Sequence, residues 1–456
     1  MRARPMAAVA VATVAILTLA VAPSASASTD HTDAVSIATE QQICDEIWGD
    51  HFSPPSSEPL AQCQWDMALI HADQATRART TGEGVRVGII DSGVDINHPD
   101  IAPNLDLASS CSFVRSDDPT IVAGLTNPIE AGNGICSNKA AVQDRSGHAT
   151  HVASTVAAPI NGIGIAGVAP DATIVALKAC TASTYCYGYA VAAALRYAGD
   201  HDIDVVNMSL FADPYLFYCG NDAEQRTMMR ELQTAARYAQ QHGVLLVTSA
   251  GNEQIDLKHP IEDTISPDGP QDTPITRSVG NNCRVLPAEL PGALTVMATG
   301  PIGYPGYTRN IADYSSIGGD LAAPGGDYFS ATNTVQDAIL AAMPASSSIY
   351  TSLDPLNAAF PGITAAAGPA TYAWIQGTSM AAPHVTGVAA LVMQLHPDWP
   401  ASAVAATLTR TASLLSCPPD WEPLGAGDER FRCTGGGGRT SFFGAGLVDA
   451  GAATAR

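Results

Sequence analysis

Three polar side chains stand at the edges of apolar segments, where chemistry would need them. Asp91 closes the run VGIID, and a carboxylate at the end of a buried strand is costly unless something pairs with it. His148 opens a helical pattern in DRSGHATHVAST, and Ser379 opens another in QGTSMAAPHVTGVAALVMQL. Singly each has a plainer explanation: a strand-end Asp or a Gly-Thr-Ser is often a helix cap, and a helix-start His is often surface. Together they supply a nucleophile, a general base and a carboxylate to orient the base, the set needed for acyl transfer. Asp91 would hold the imidazole in one tautomer and stabilise the imidazolium. His148 would take the Ser379 proton and later give it to the leaving amine. The chain order Asp, His, Ser is one of several in which this constellation occurs.

The segment carrying Ser379 breaks a local rule. Val385, Val388, Ala389, Val392 and Met393 recur at helical spacing, yet Pro383 has no N–H to offer the Ser379 carbonyl. The free N–H groups and dipole of a helix start favour an anion developing beside Ser379. A rule broken at a candidate site is the mark of functional strain.

Five apolar runs must position these residues: Val85–Ile90, Ala172–Ala179, Asp204–Leu210, Gly243–Ala250 and Ala293–Gly300. They are near-continuous in Val, Ile and Leu, as strands covered on both faces are. Helical patterns lie among them at His148–Ala158, Gly188–Ala198, Ala223–Gln241, Thr378–Leu395 and Ser402–Ala412. The alternation predicts an α/β fold, a doubly wound, mostly parallel sheet with helices on both faces and a site beyond the strands' carboxyl ends. Asn104–Gln143, Glu253–Pro291 and Asp327–Ala373 are rich in Pro, Gly, Ser and Asp and read as loop insertions, with Gly435–Gly438 a flexible loop in a last one.

The N-terminus reads as a secretory signal peptide over residues 1–27: Arg2 and Arg4, an apolar run from Ala7 to Val21, and Ala25-Ser26-Ala27 before the cut. A secreted, extracellular protein is expected. Its ten cysteines then imply disulfides, which staple the insertions. Pairing each cysteine with its sequence neighbour is the simplest scheme, though sequence does not fix it. Zinc is the rival use, but no C-x-x-C spacing occurs. A formal charge of −22 leaves no electrostatic footprint for nucleic acid or anionic lipid.

The motifs in their order resemble the subtilases, the subtilisin-like serine proteases. IIDSGVDINHPD, GHATHVAST, GIAGVAPDATIVALKA, VVNMSL, TSAGN and QGTSMAAPHVTGVAALV carry the resemblance, with FGAGLVDAGAA similar to the family's closing segment. It spans about Trp65 to Ala452 and skips only the insertions. By resemblance the fold is subtilisin-like, the triad falls on Asp91, His148 and Ser379, and the oxyanion residue falls on Asn252. An amide there can donate to an oxyanion, with the Ser379 N–H as second donor. Ser209, Leu210, Phe211, Ala250 and Gly251 fall on the substrate-binding edges, which would pair with a peptide as an added strand. The expected protein is a monomeric serine endopeptidase acting on polypeptide substrate through an acyl-enzyme, with no nucleic acid or membrane partner. The alternative, a catalytically inactive subtilase-like binding protein, should have lost one of these four residues.

The chain departs from the family in four places. Ala149 and Ser154 stand where glycine is usual. Phe211 also replaces a glycine, so its ring should narrow or reshape the pocket for the residue before the scissile bond. Subtilases generally carry an inhibitory prodomain, but residues 28–64 lack strand–helix alternation. They are expected to persist as an N-terminal extension looped by Cys44 and Cys63, ahead of a catalytic domain over 65–456. No cofactor is expected; family members often bind structural calcium, but no D-x-D-x-D-G loop assigns one here. Three further signals carry no function. Gly162, Gly164 and Gly167 spell G-x-G-x-x-G, but they precede a strand instead of following one. His148 and His151 lack a third metal ligand. The glycosylation pattern at Asn207 lies in a strand expected to be buried.

Overall fold

The apolar runs become strands of one sheet. In the computed structural model, which describes residues 37–307, 311–344, 364–367, 370–418, 432–436 and 438–455, this sheet has seven strands. They are β1 (Arg86–Asp91), β2 (Cys111–Ser112), β3 (Thr173–Lys178), β4 (Val205–Met208), β5 (Leu245–Ser249), β6 (Leu294–Thr299) and β7 (Leu321–Pro324). The order is β7-β6-β5-β4-β1-β3-β2, and every neighbouring pair is parallel. Successive side chains point to opposite faces. Ile89 and Val205 enter one apolar cluster, while Ile90 and Val206 enter another. Both faces are therefore buried, which is why the runs show no polar alternation.

Helices cover the two faces: α1 (Ile37–Trp48), α2 (His148–Ala157), α3 (Gly188–Asp200), α4 (Ala223–Gln241), α5 (Thr378–Leu395) and α6 (Ala401–Thr411). Helices α2 and α5 pack into the first cluster, α3 and α4 into the second. Helix α5 is buried all round, as a helix apolar on every face must be. Beyond β3 the chain crosses to the other side of β1, so β1 lies between β3 and β4. That reversal opens a crevice at the carboxyl ends of β1 and β4.

The fold corrects three expectations. Cys111–Ser112 and Leu321–Pro324 extend the sheet at its two edges; neither is long or apolar enough to announce itself. Part of the expected 327–373 loop is an antiparallel sheet of β8 (Ile339–Ala342), β9 (Thr364–Ala367) and β10 (Ala370–Ile375), in the order β8-β10-β9. Its alanine-rich strands have no alternation to read, because packing makes them: Tyr372 and Trp374 are fully buried in the first cluster. The expected loop of residues 28–64 instead contains α1, which turns Glu40, Cys44 and Trp48 inward four residues apart. Residues 1–36 and Gly437, covering the signal peptide and part of the Gly435–Gly438 loop, lie outside the described residues.

All five disulfides join sequence neighbours: Cys44–Cys63, Cys111–Cys136, Cys180–Cys186, Cys219–Cys283 and Cys417–Cys433. No cysteine is left for zinc.

Candidate active site

Asp91 ends β1 almost fully buried, with both carboxylate oxygens 2.9 Å from His148 Nδ1. The backbone N–H of Ser92 also donates to it at 2.7 Å. A hydrogen bond from Nδ1 to a carboxylate fixes the imidazole tautomer and leaves Nε2 free to accept a proton. Burial lowers the His148 pKa, but the carboxylates of Asp91 and Asp144 outweigh it and hold the imidazole above its usual range.

A buried cage aims His148. Gly147, just before α2, has φ +99°, a left-handed turn that glycine adopts readily. Asp144 accepts from the Ser146 and Gly147 N–H groups at 3.0 and 2.9 Å and from Ser92 Oγ at 3.0 Å. Its other oxygen takes the N–H and hydroxyl of Thr150 at 3.0 and 2.7 Å. One carboxylate thus caps the first turn of α2 and ties it to the end of β1. Burial pushes the Asp144 carboxyl above the usual carboxylate range, opposed by the nearby Lys178 ammonium and by these donors. Lys178 Nζ, fully buried, donates to the Ser92 carbonyl at 2.8 Å and the Gln143 carbonyl at 3.1 Å, and pairs with Glu130 Oε2 at 2.7 Å. Asp144, Lys178, Glu130 and Ser92 were not singled out from the sequence. A lysine ending the apolar run ATIVALKA was the available signal, since such a charge needs a partner.

Ser379 is the second residue of α5. Its Oγ donates to the Ser209 carbonyl at 3.2 Å, and Ser209 Oγ donates in return to the Ser379 carbonyl at 2.7 Å. Pro383 leaves that carbonyl without its helical donor, and the Ser209 hydroxyl replaces it. Behind Ser209 the bonds continue: Asn207 Nδ2 donates to Ser209 Oγ at 2.8 Å, and Thr386 Oγ1 to Asn207 Oδ1 at 2.9 Å. Asn207, the asparagine of the glycosylation pattern, is fully buried in this chain.

Asn252 follows β5. Its Oδ1 accepts from the N–H and Oγ1 of Thr378, both at 2.9 Å. A backbone N–H can only donate, so the oxygen is the anchored end of the amide, and Nδ2 is the end left to donate. Gly251, before it, has φ +103°, and a Cβ there would stand 2.6 Å from Glu253 Oε2. Thr378 was not predicted; its place in the Gly-Thr-Ser sequence reads only as a cap.

These residues line one cavity of about 260 Å³ at the carboxyl ends of β1 and β4. Asp91, His148, Ser379, Asn252, Ser209, Leu210, Phe211 and Gly251 all border it. Ala250 does not: it lies beneath, in the apolar cluster with Leu216 and Val285, against which Phe211 packs. His151 is fully buried, its Nε2 3.1 and 3.2 Å from the carbonyls of Ile339 and Ala373. Burial pushes its pKa down to about 3, so it stays neutral and ties α2 to β8 and β10. Among the described residues, the one cluster tight enough for a metal is Glu40 with Cys44 and Cys63, whose sulfurs are joined to each other.

The sequence profile of the subtilase family matches residues 82–446. The chain is 28% identical over 392 residues to Subtilisin Savinase of Lederbergia lenta, covering 86% of this chain and 98% of that one. It is equally similar to M-protease of Shouchella clausii strain KSM-K16, 28% over 392 residues, covering 86% of this chain and 69% of that one. The epidermin leader peptide processing serine protease of Staphylococcus aureus has the same fold, with a TM-score of 0.62 at 22% identity over 88% of this chain and 82% of that one.

Proposed function

The chain belongs to the subtilase family and is a subtilisin-like serine endopeptidase, and from that premise we propose that Asp91, His148, Ser379 and Asn252 are its catalytic residues. The observation that carries this reading is the bidentate approach of Asp91 to His148 Nδ1 at 2.9 Å, in the one cleft that Ser379 and Asn252 also border.

The substrate peptide pairs as an added strand with the edge at Ser209, Leu210 and Phe211 and with Gly251. Ser379 Oγ leaves the Ser209 carbonyl, gives its proton to His148 Nε2 and attacks the scissile carbonyl carbon. The carbonyl oxygen, now an anion, accepts from Asn252 Nδ2 and the Ser379 N–H. Asp91 stabilises the imidazolium without taking its proton. The tetrahedral intermediate collapses as His148 protonates the leaving amine, which leaves an acyl-enzyme on Ser379. Water, deprotonated by His148, attacks the ester, and the second intermediate releases the acid and restores Ser379. No cofactor takes part.

The protein is exported through the signal peptide at residues 1–27 and works as an extracellular monomer, a setting in which its five disulfides persist. Among the described residues no helix is long and apolar enough to cross a membrane. Leu216 and, from an insertion, Val285 wall the cleft beside Phe211, which favours restricted processing of polypeptides over broad digestion.

A fluorophosphonate probe tests the assignment. It should label the secreted protein irreversibly, and labelling should vanish in Ser379→Ala and in His148→Ala. A wild-type protein that resists the probe would be the inactive binding protein instead, and labelling that survives Ser379→Ala would place the nucleophile elsewhere.

A further inference from the structure

Lys178 ends β3 fully buried, and each of the three N–H donors of its ammonium has a partner. The Ser92 carbonyl lies at 2.8 Å, the Gln143 carbonyl at 3.1 Å and Glu130 Oε2 at 2.7 Å. Two of these partners flank the carboxylates that act on His148: Ser92 follows Asp91, and Gln143 precedes Asp144. The ammonium therefore ties together the two segments that present those carboxylates to the imidazole. Such a tether carries a cost. In a buried region of low dielectric, an uncompensated cation would oppose the carboxylates it holds in place.

Glu130 supplies the compensation from the first insertion, where it ends the short turn Pro128–Glu130 and is fully buried. Its Oε2 takes the Ala182 N–H at 3.1 Å as well as the Lys178 ammonium, while Ser112 Oγ fixes its backbone by donating to its carbonyl at 2.8 Å. Its Oε1 is buried without a hydrogen-bond partner. A buried ion pair is weak evidence for stability, and an orphaned carboxylate oxygen weakens the case further. What the pair does supply is a tether of no net charge near the imidazole. Ala182 belongs to the Cys180–Cys186 turn, whose two cysteines and Thr184 border the cleft, so the same carboxylate also joins the histidine cage to the cleft wall. The other titratable groups around His148 are already engaged. His151 in α2 is held neutral by burial, and His384 in α5 pairs with Asp66 at 2.9 Å. Across the cleft, Glu253 accepts from the Asn252 N–H and Asp213 from the Cys186 N–H.

We propose that Glu130 is a positioning residue for the reaction: it cancels the charge of Lys178, so the tether holds the Asp91 and Asp144 segments without opposing their pull on His148. Buried as it is, Glu130 meets no substrate and acts through Lys178. The proposal rests on His148 being the general base. It makes the first insertion a working part of the site, because the carboxylate that neutralises the tether comes from it.

The test reads the imidazole itself, so it does not depend on turnover. NMR follows the histidine ring protons of Ser379→Ala across pH, with the His148 signals identified by their loss in His148→Gln. Adding Glu130→Gln keeps an acceptor for the Ala182 N–H but removes the charge, and the His148 midpoint should fall by about 0.5–1 pH unit. Adding Lys178→Met as well removes the cation that Glu130 offsets, and at least about half of that shift should be recovered. Glu130→Asp draws the carboxylate back by one methylene and should move the midpoint the same way by about a third as much. It decides the matter if Glu130→Gln does not fold. A midpoint unmoved in both Glu130 variants, or a shift that Lys178→Met leaves in place, overturns the proposal; a purely structural role predicts one or the other. Peptide cleavage by the wild-type protein tests the endopeptidase assignment separately: with no cleavage but the midpoint shifted, that assignment fails and the tether stands.

Discussion

The hydroxyl of Ser209 donates to the carbonyl of Ser379 at 2.7 Å, where a regular helix would have used the N–H of residue 383. Pro383 and Ser209 therefore act together: the proline vacates the carbonyl, and the Ser209 hydroxyl claims it. Ser209→Ala should leave that carbonyl and Asn207 Nδ2 unpartnered, at about 1–3 kcal/mol, and lower kcat/KM about tenfold as the nucleophile loses its brace. Adding Pro383→Ala restores an N–H, so the double variant should recover part of the lost stability. Urea midpoints of the three proteins check this. A double variant no more stable than Ser209→Ala would separate the two residues.

Asn252 gives the sharpest test of the oxyanion site. Its oxygen is held by Thr378, so only Nδ2 is free to meet a developing anion. Asn252→Asp keeps the acceptor and puts charge where a donor is needed. It should lower kcat about 10²–10³-fold, the loss found on removing this donor in subtilisin, and leave KM nearly unchanged. Equal losses in KM and kcat would make Asn252 a ground-state contact.

The pH dependence follows from His148. Its imidazole must be neutral to accept the Ser379 proton, and the Asp91 and Asp144 carboxylates outweigh burial to raise its pKa. The rate should rise with pH through a midpoint above the ordinary histidine value of about 6.5. Stability follows the reverse sense. The Asp91–imidazolium pair adds its full contribution below the unfolded pKa, and this is lost as pH rises through the higher folded one. Asp91→Asn should lower kcat about 10⁴-fold and move the acidic limb down. A wild-type limb at or below about 6.5 contradicts the geometry.

Phe211 lines the cleft, and its ring packs against the Leu216 and Val285 cluster at the cleft wall. Phe211→Gly should open that wall and shift preference toward larger residues before the scissile bond. Peptide-library profiles of both proteins decide it; identical profiles would mean the ring never met substrate.

Much of this site was legible because its residues sit at strand and helix ends that the apolar runs reveal. Asp91, His148 and Ser379 stand at such boundaries, and five disulfides follow sequence order because each closes a local loop. Asp144, Lys178 and Glu130 were hidden, since a buried ion cage is defined by contacts across distant segments. Lys178 meets Glu130 only after the first insertion folds over β3. The β8–β10 sheet was hidden for a similar reason: Ala341 and Ala342 of β8 become strand residues inside the buried cluster that Trp374, α1 and α2 share.

The same enclosure bears on the N-terminal extension. Trp48 is fully buried, its ring 6.0 Å from that of Trp65. Glu40 accepts from Trp374 Nε1 at 2.9 Å and Gln336 Nε2 at 3.1 Å, and burial raises its pKa. The Leu60 N–H donates to the Gly164 carbonyl at 2.7 Å, and Cys44–Cys63 closes the segment. A detachable prodomain would leave Trp374 Nε1 and the Gly164 carbonyl without partners. It would also strip Trp48 and Leu60 from the core, about 2 kcal/mol for each side chain. Residues 28–64 should therefore remain on the active enzyme, with an N-terminus at or near Ser28 by intact mass and N-terminal sequencing. An active enzyme beginning at or near Trp65 would show that the segment is removable, and its midpoint of unfolding should then match the full chain instead of falling below it.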